Sequence, residues 1–373
     1  NPRYERGTLQ EVYEMIGKDI EAGIPLIDDT AYSVPKYHFN YKAACCFASR
    51  YYLFMQDWDN AIKYATMALT SNPSSLLRDY SAIAALPNGT SRHQEYVNSA
   101  STANFLLQAA TSNSGLLFDW YSTAGRYSHG KLQGIYETVQ PKKGGPWGSS
   151  VTFKAPHAVL ASSGKYVLPR TWRVFQYTDP VAGTGFNKAI SVLFTSEEAL
   201  LNRAEAYIMK MNEDPTALDK ALEDINLYAA NLFSAGFKSM TEASIIKWAT
   251  ETYPDYSELY VGKTSVSSPQ TLNPKKKLHA APYNTLEEDG PQESMLQALI
   301  FMRRYQFLHE GMRWFDTRRF GITVYRYLLD EDAETVVQIT DQISDENGTA
   351  DPRRALQLPA DVIAAGLTPN PRK

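Results

Sequence analysis

The chain has 373 residues, of which 43% are hydrophobic and 21% charged, so it can bury a large core in one large or two medium units. A net charge of −4 argues against a broad phosphate-binding surface, and we expect no nucleic-acid partner. No window approaches the roughly eighteen apolar residues that a membrane helix needs. The 24 tyrosines are typical either of a surface that holds flat, amphipathic molecules or of a Tyr-rich core.

A first helix is predicted over residues 8–23. Thr8 and Glu11 have the spacing of a capping box, and an apolar face follows it, formed by Leu9, Val12, Ile16 and Ile20. The residues before this helix carry no signal-peptide pattern and resemble the interior of a longer chain. We therefore expect a segment to precede residue 1.

Residues 40–73 predict a helical hairpin. One face of its first helix carries Cys45, Ala48, Ser49 and Tyr52. A turn follows at residues 57–59. The second helix, which ends before Pro73, is lined by Ala61, Ala65 and Ala68. Small residues at these spacings are typical of tetratricopeptide repeats, where two helices approach closely. The adjacent cysteines, Cys45 and Cys46, point in different directions on a helix, so no structural disulfide is expected.

A second, looser hairpin is predicted from a helix over 196–210 and a partner over 221–233. Leu200, Ala204 and Tyr207 align on the first helix, and Ala221, Ile225 and Tyr228 on the second. Two such hairpins, far apart in sequence, indicate one repeat scaffold that carries a large insertion.

The insertion, roughly residues 112–190, is rich in Gly, Ser and Pro, and we interpret it as loops with a small hairpin. Three of the six tryptophans lie in it. Long loops in compact proteins are often functional. Its aromatic residues are candidates for stacking on a ligand, with polar neighbours as hydrogen-bonding partners: Trp120, Tyr121, Trp147, Trp172 and Tyr177, with Asp119, Arg170 and Arg173. The alternative for each aromatic is that it packs the insertion onto the scaffold.

A long helix is predicted over residues 291–310, after a short one at 241–252, and Gly311 breaks it. Arg303 falls on its apolar face, beside Ile300 and Phe307. A buried arginine needs a partner, and Glu310 or Asp316 is the expected one. The arginine-rich stretch at residues 303–321 is therefore predicted to form an internal salt-bridge network and not a phosphate-binding or catalytic surface.

The same stretch carries a motif, because Glu310-Gly311, Arg313, Asp316, Arg319 and Gly321 match E-G-x-R-x-x-D-x-x-R-x-G. It resembles the C-terminal signature of SusD/RagB-like proteins, the surface nutrient-binding lipoproteins of Gram-negative bacteria. Further segments are similar to the family in the correct order, from about residue 8 to residue 370: LQEVYEMIGKDIEAGIPLI, the hairpin with its DW turn, EEALLNRAEAY and ALQLPADVI. Met302 and Gln306 depart from the family, which often has Glu at both positions.

The resemblance implies a mostly α fold, in which tetratricopeptide-like helical hairpins form a SusD-like α-α superhelix with a large loop-rich insertion. It implies a single domain over 1–373, with a helical repeat region at 8–73, the aromatic insertion at 112–190, the second hairpin at 196–233 and the C-terminal helix and signature at 291–373. It also implies an N-terminal portion with a lipidated cysteine, which this sequence does not contain.

The function that the resemblance implies is binding of glycans at the extracellular face of the outer membrane. The bound nutrient would pass to a SusC-like TonB-dependent transporter, and contact with the membrane would come only through the N-terminal lipid anchor. Two alternatives stay open: a peptide-binding RagB-like member, or a tetratricopeptide-type scaffold that binds a peptide or protein.

No catalytic activity, cofactor or metal is expected. HExxH, GxSxG and GxGxxG motifs are absent, and VGKTS at 261–265 fails as a P-loop because Ser257 stands where glycine is needed. The six histidines form no i, i+4 pair. Adjacent carboxylates such as Glu197 and Glu198 favour a role at helix starts over acid–base chemistry.

Overall fold

The computed structural model describes residues 7–114, 145–148, 151–154, 174–251, 275–331, 336–345 and 349–372, together with the backbone of 159–160 and 166–167. The chain divides into two compact units. The first unit consists of residues 1–116 and 169–232, and the second of residues 117–168 and 233–373.

The first unit is a stack of helices. Helix α2 packs on α3, α3 on α6, and α6 on α7, so the two predicted hairpins are confirmed and belong to one scaffold. The second hairpin's first helix has its predicted bounds, and its partner begins four residues earlier than predicted. The helices are α1 Leu9–Gly23, α2 Tyr41–Phe54, α3 Trp58–Leu69, α4 Tyr80–Ala85, α5 Gly89–Tyr96, α6 Ser196–Lys210 and α7 Ala217–Leu232.

Small residues let these helices approach closely. Cys45, Ala48, Ser49, Ala61, Ala65 and Ala68 are all fully buried, as the hairpin pattern predicts. Both cysteines are free thiols, and burial raises the pKa of Cys45 to about 11, so it stays a protonated packing residue at neutral pH.

Side-chain caps fix where the scaffold helices begin. The Thr8–Glu11 capping box of α1 is present, and α2, α3 and α6 are capped by Asn40, Asp57 and Thr195. The apolar face of α1 is buried at Ile20 but open at its start, where Leu9 is 75% exposed.

A three-stranded antiparallel sheet, in the order β1–β5–β4, completes the first unit. The predicted small hairpin is present as β4 and β5. The end of the predicted loop-rich insertion is, however, regular structure, since β5 runs into helix α6 and pairs with β1. The strands are β1 Asn104–Thr111, β4 Val174–Asp179 and β5 Thr184–Thr195; between them in sequence, β2 Val159–Leu160 and β3 Tyr166–Val167 pair in the second unit.

Two ion pairs, one half-buried and one fully buried, hold the start of helix α6. The Arg50 guanidinium donates two hydrogen bonds to Glu198, at 2.6 and 2.8 Å. The backbone N–H of Arg78 donates to Glu197 at 2.9 Å, and its guanidinium donates to Asn104 at 2.6 Å. The adjacent carboxylates therefore bind arginines, while Thr195 is the residue that caps the helix.

The second unit contains the C-terminal elements: α8 Glu242–Thr250, α9 Pro291–Gln306, α10 Met312–Arg319 and α11 Ala360–Ala364, with the hairpin β6 Val324–Leu329 and β7 Val336–Ile343. Helix α9 ends four residues before the predicted position. His309 and Gly311 both have left-handed backbone, with φ of 63° and 80°, so the chain leaves the helical path before Gly311.

Gly321, the last residue of the motif, is required by a close approach. Its φ is +67°, and a Cβ added there would lie 2.5 Å from the backbone nitrogen of Ala280. Gly236 has a similar φ of +97° but nothing within 4 Å of an added Cβ. Both glycines therefore have a left-handed backbone conformation, but only Gly321 lacks room for a side chain.

Replacing Gly321 by Ala is expected to destabilise the protein by at least about 2 kcal/mol more than Gly236→Ala, because only the first change forces the backbone apart. Urea unfolding of both variants measures the difference. Equal destabilisation would show that the close approach at Gly321 carries no cost.

Candidate functional site

A cleft of about 640 Å³ opens in the second unit between the end of helix α9, helix α10 and strand β6. We call it the C-terminal cleft. Its lining combines aromatic, cationic and apolar side chains: Lys276, Arg304, Phe307, Leu308, His309, Glu310, Gly311, Arg313, Trp314, Thr317, Ile322, Thr323, Val324, Tyr325 and Tyr327.

Besides the buried Phe307, three partly exposed aromatic side chains line the cleft from two elements. Trp314 comes from helix α10, and Tyr325 and Tyr327 come from strand β6. Residues two apart on a strand point to the same face, so the two tyrosines project together. All three are partly exposed, which leaves ring surface for a ligand.

Helix α10 is held in place by a buried ion pair. The Arg303 guanidinium donates to both carboxylate oxygens of Asp316, at 2.9–3.2 Å, and Arg319 lies 3.3 Å from the same carboxylate. Burial by itself would raise the pKa of Asp316, but the charges of Arg303 and Arg319 outweigh it and hold the pKa below its usual range. The predicted internal network is confirmed, with Asp316 as a partner of Arg303.

A second buried arginine fixes part of the wall of the cleft. Arg354 donates to the carbonyl oxygens of Thr317 and Ile322, at 3.2 and 2.8 Å, and to the Asp345 carboxylate at 2.8 Å. These hydrogen bonds fix the backbone of two lining residues, Thr317 and Ile322, so this part of the wall is preformed.

Charged groups enter the cleft from separate parts of the chain. Lys276 precedes helix α9, and its N–H and C=O are both bound by the Gln297 amide, at 3.0 and 2.7 Å. Arg304 lies in the last turn of α9, and Arg313 in the first turn of α10. Among the described lining residues, Glu310 supplies a carboxylate.

This arrangement is suited to binding a polar molecule with an apolar face. Aromatic rings stack on the C–H faces of sugars, while guanidinium and carboxylate groups bind hydroxyls and charged substituents. Within the part of the chain that the structure describes, no group of three or more His, Cys, Asp or Glu is placed to hold a metal ion. No helix in that same part has the length and apolar character to cross a membrane.

Six of the ligand residues predicted from sequence lie outside the described residues: Trp120, Tyr121, Trp172, Asp119, Arg170 and Arg173. Trp147 requires a correction. It is fully buried, its ring stacks on Phe301 at 4.7 Å and on Phe233 at 5.4 Å, and Trp248 lies 5.6 Å away. No face of its ring is left for a ligand, so Trp147 is a core residue.

Tyr177 is the predicted ligand residue that the structure places on the surface. It is 58% exposed on strand β4, and its ring lies 4.8 Å from that of Phe175. Across the hairpin it faces Gly185, whose missing side chain leaves the tyrosine uncovered. Asn187, on the same strand as Gly185, binds Asn113 at 3.1 Å, so amide groups accompany the aromatic surface.

Sequence reasoning missed the aromatic residues of the C-terminal cleft. Trp314 stands inside the arginine-rich motif, which was interpreted as structural as a whole. Tyr325 and Tyr327 alternate with Val324 and Arg326, and this period-two pattern was the available signal.

Comparison with known proteins adds to this geometry. The model of a SusD-like family, described as starch-binding and associating with outer membrane, matches residues 1–53. Among solved structures, a protein from Bacteroides vulgatus called a sugar binding protein superposes over 99% of this chain and 67% of its own, at 17% identity and a TM-score of 0.52. No curated protein matches the chain in sequence.

Two further structures agree. A SusD-like protein from Bacteroides fragilis covers 99% of this chain and 72% of its own, at 14% identity and a TM-score of 0.50. A SusD superfamily protein from Bacteroides thetaiotaomicron covers 98% and 67%, at 15% identity and a TM-score of 0.50. The fold of this chain is similar to that of SusD-like proteins, and its first 53 residues match the model of a SusD-like family. The resemblance and the mostly α, tetratricopeptide-like fold inferred from the sequence are confirmed.

Asp316→Asn is expected to destabilise the protein by about 3–5 kcal/mol, because the change leaves buried Arg303 without its countercharge. Chemical denaturation at neutral pH measures the loss. Asp59→Asn removes the exposed partner of Lys210 and serves as the matched control, for which little change is expected. Similar effects of the two substitutions would contradict the assigned role of Asp316.

The same pair predicts a pH dependence. Since the pKa of Asp316 is lowered in the folded protein, its stabilisation is present above the unfolded value of about 3.9 and is lost as the pH falls through the folded pKa. The stability difference between the wild type and Asp316→Asn should therefore shrink below about pH 4. Denaturation curves recorded from pH 7 down to pH 3 measure it, and a constant difference would contradict the prediction.

Proposed function

We propose that this protein binds glycans and acts as a binding protein without catalytic activity. The observation that carries the proposal is the C-terminal cleft, in which Trp314, Tyr325 and Tyr327 stand beside charged side chains on a preformed wall. Sugars present an apolar ring face and a polar rim, and this lining offers a partner to each. The description of the matched family as starch-binding supports the same class of ligand.

The site of action that we propose is the extracellular face of the outer membrane. The matched family model is described as associating with outer membrane, and this description supports that location. The bound glycan would then pass to a SusC-like TonB-dependent transporter.

The aromatic insertion is proposed as a second ligand-contacting surface. Tyr177, with its open ring and neighbouring amides, is the described part of that surface. Trp120, Tyr121 and Trp172, with Asp119, Arg170 and Arg173 as hydrogen-bonding partners, remain its other proposed members.

Two other functions stay as alternatives: a RagB-like peptide binder and a scaffold that binds protein. A peptide would use backbone amides as its main recognition element, whereas a cleft with three aromatic rings favours a ring-shaped ligand. Binding tests with peptide and glycan panels separate these functions.

Trp314→Ala is expected to weaken glycan binding at least about tenfold, because it removes a ring that stacks on the sugar. Phe315→Ala is the matched control, since Phe315 is 44% exposed on the same helix but does not line the cleft. Isothermal titration calorimetry with a panel of oligosaccharides measures both. Equal losses in the two variants would exclude the cleft as the binding site.

Tyr177→Ala is expected to weaken oligosaccharide binding at the second surface several-fold, because it removes an open ring from that surface. Val181→Ala, at the fully exposed tip of the same hairpin, is the control. Affinity electrophoresis against polysaccharides measures both variants. If each polysaccharide that slows the wild type in the gel slows Tyr177→Ala equally, Tyr177 is not part of the proposed surface.

A further inference from the structure

A short segment of the first unit exposes several aromatic side chains. We call residues 28–40, which precede helix α2, the 28–40 loop. Its aromatic residues are all substantially exposed: Tyr32 at 37%, Tyr37 at 58% and Phe39 at 48%, with His38 exposed as well. Apolar residues that are exposed singly need no explanation, whereas a group of them on one segment marks an interaction site.

Two of these rings form a stacked pair. The ring of Tyr32 and the imidazole of His38 are nearly parallel, with an interplanar angle of 9° and their centroids 4.0 Å apart. Each ring covers one face of the other, and both side chains still remain exposed, so ring surface is left for a third partner. A sugar ring that lies against this surface continues the stack with its C–H groups.

The backbone beneath the stacked pair is fixed by hydrogen bonds. The Asn40 side-chain amide donates to the carbonyl oxygens of His38, at 3.2 Å, and of Phe105 in strand β1, at 2.6 Å. Nearer the start of the loop, the Asp29 carboxylate accepts from the backbone N–H of Tyr41 at 2.9 Å. Because the loop is already ordered, little conformational entropy is lost when a ligand binds to it.

Hydrogen-bonding groups accompany the stacked pair. Asp28 and Thr30, in the turn that precedes Tyr32, are both exposed. The Thr30 hydroxyl and N–H donate to the Asp28 carboxylate, at 2.6 and 3.0 Å, and these hydrogen bonds lower the pKa of Asp28, so it is ionised at neutral pH. A carboxylate and a hydroxyl beside an aromatic face are groups that bind the hydroxyls of a sugar.

The backbone of the 28–40 loop favours a sugar over an extended peptide. The N–H of His38 donates to the carbonyl of Pro35 at 2.9 Å, and the C=O of His38 accepts from the N–H of Asn40 at 2.7 Å. A peptide that adds to a protein as a strand needs backbone groups that are open to it. At the stacked pair the loop therefore offers side chains to a ligand, and not a backbone edge.

We propose that the stacked pair of Tyr32 and His38 is a further glycan-binding site, and that it takes a neutral pyranose ring through the C–H face of the sugar. The two rings supply the stacking surface, and Asp28 accepts hydrogen bonds from the sugar hydroxyls. This inference rests on the proposed glycan binding and adds a site to it. The C-terminal cleft belongs to the second unit and this site to the first, so the two are built from different residues.

Calorimetry on the full chain with the Trp314→Ala substitution tests the proposal, because the C-terminal cleft is then weakened as a competing site. The probes are neutral oligosaccharides built on glucose, galactose, mannose or xylose. Adding Tyr32→Ala or His38→Ala to this background should weaken the remaining binding at least about fivefold, since either change removes one ring of the stack. Two variants are used in case one fails to fold, and thermal unfolding of each identifies such a failure.

Leu26→Ala in the same background is the matched control. Leu26 is 81% exposed and lies just before the 28–40 loop, so the change removes exposed apolar surface and leaves the stacked pair intact. Its affinity for each oligosaccharide should equal that of Trp314→Ala alone. Equal losses in Leu26→Ala and Tyr32→Ala would overturn the assignment of the site to the stacked pair.

The outcomes separate the further site from the proposed function. Binding that Trp314→Ala abolishes for every oligosaccharide would overturn the further site and leave glycan binding at the cleft in place. Remaining binding that neither Tyr32→Ala nor His38→Ala weakens would also overturn it. No binding of any glycan by the wild type would overturn the proposed function, and this inference with it.

Discussion

The ion pair between Arg303 and Asp316 ties the last turn of helix α9 to helix α10, and the C-terminal cleft takes its shape from that connection. Between the two helices the chain turns through left-handed residues, His309 and Gly311, which by themselves would leave α10 poorly oriented. The bidentate contact at 2.9–3.2 Å fixes the helix and, with it, Trp314. Removing the charge of Asp316 would therefore affect both the stability of the protein and the position of Trp314.

Both units contain arginine–carboxylate pairs that connect separate segments of the chain. In the first unit Arg50 and Arg78 bind the glutamates that open helix α6. In the second unit Arg354 joins Asp345 to the wall of the cleft. Such pairs are costly to bury but directional, so they specify where a helix begins more narrowly than apolar packing does.

The scaffold was predictable from sequence because its pattern is local. Small residues at spacings of three and four indicate a pair of closely packed helices, and the burial of Ala61, Ala65 and Ala68 confirms this prediction. The partner of Arg303 was also accessible, since Gly311 marks the bend that brings Asp316 back. The strand β5 escaped prediction because its pairing with β1 joins residues about eighty positions apart.

The candidate site was less accessible from sequence for the same reason. Trp147 has the composition of a ligand residue, yet only the distant Phe233, Trp248 and Phe301 reveal it as core. Trp314 lies in a motif that the sequence predicts to be structural, and the partial exposure of Trp314 and Tyr325 follows from how α10 and β6 meet. Lys276 joins them through Gln297, a contact that no local spacing encodes.

A crystal structure of the protein with a bound oligosaccharide tests the central claim most directly. We expect the sugar rings to lie in the C-terminal cleft, against Trp314, Tyr325 and Tyr327. An oligosaccharide bound elsewhere, with the C-terminal cleft empty, would contradict it.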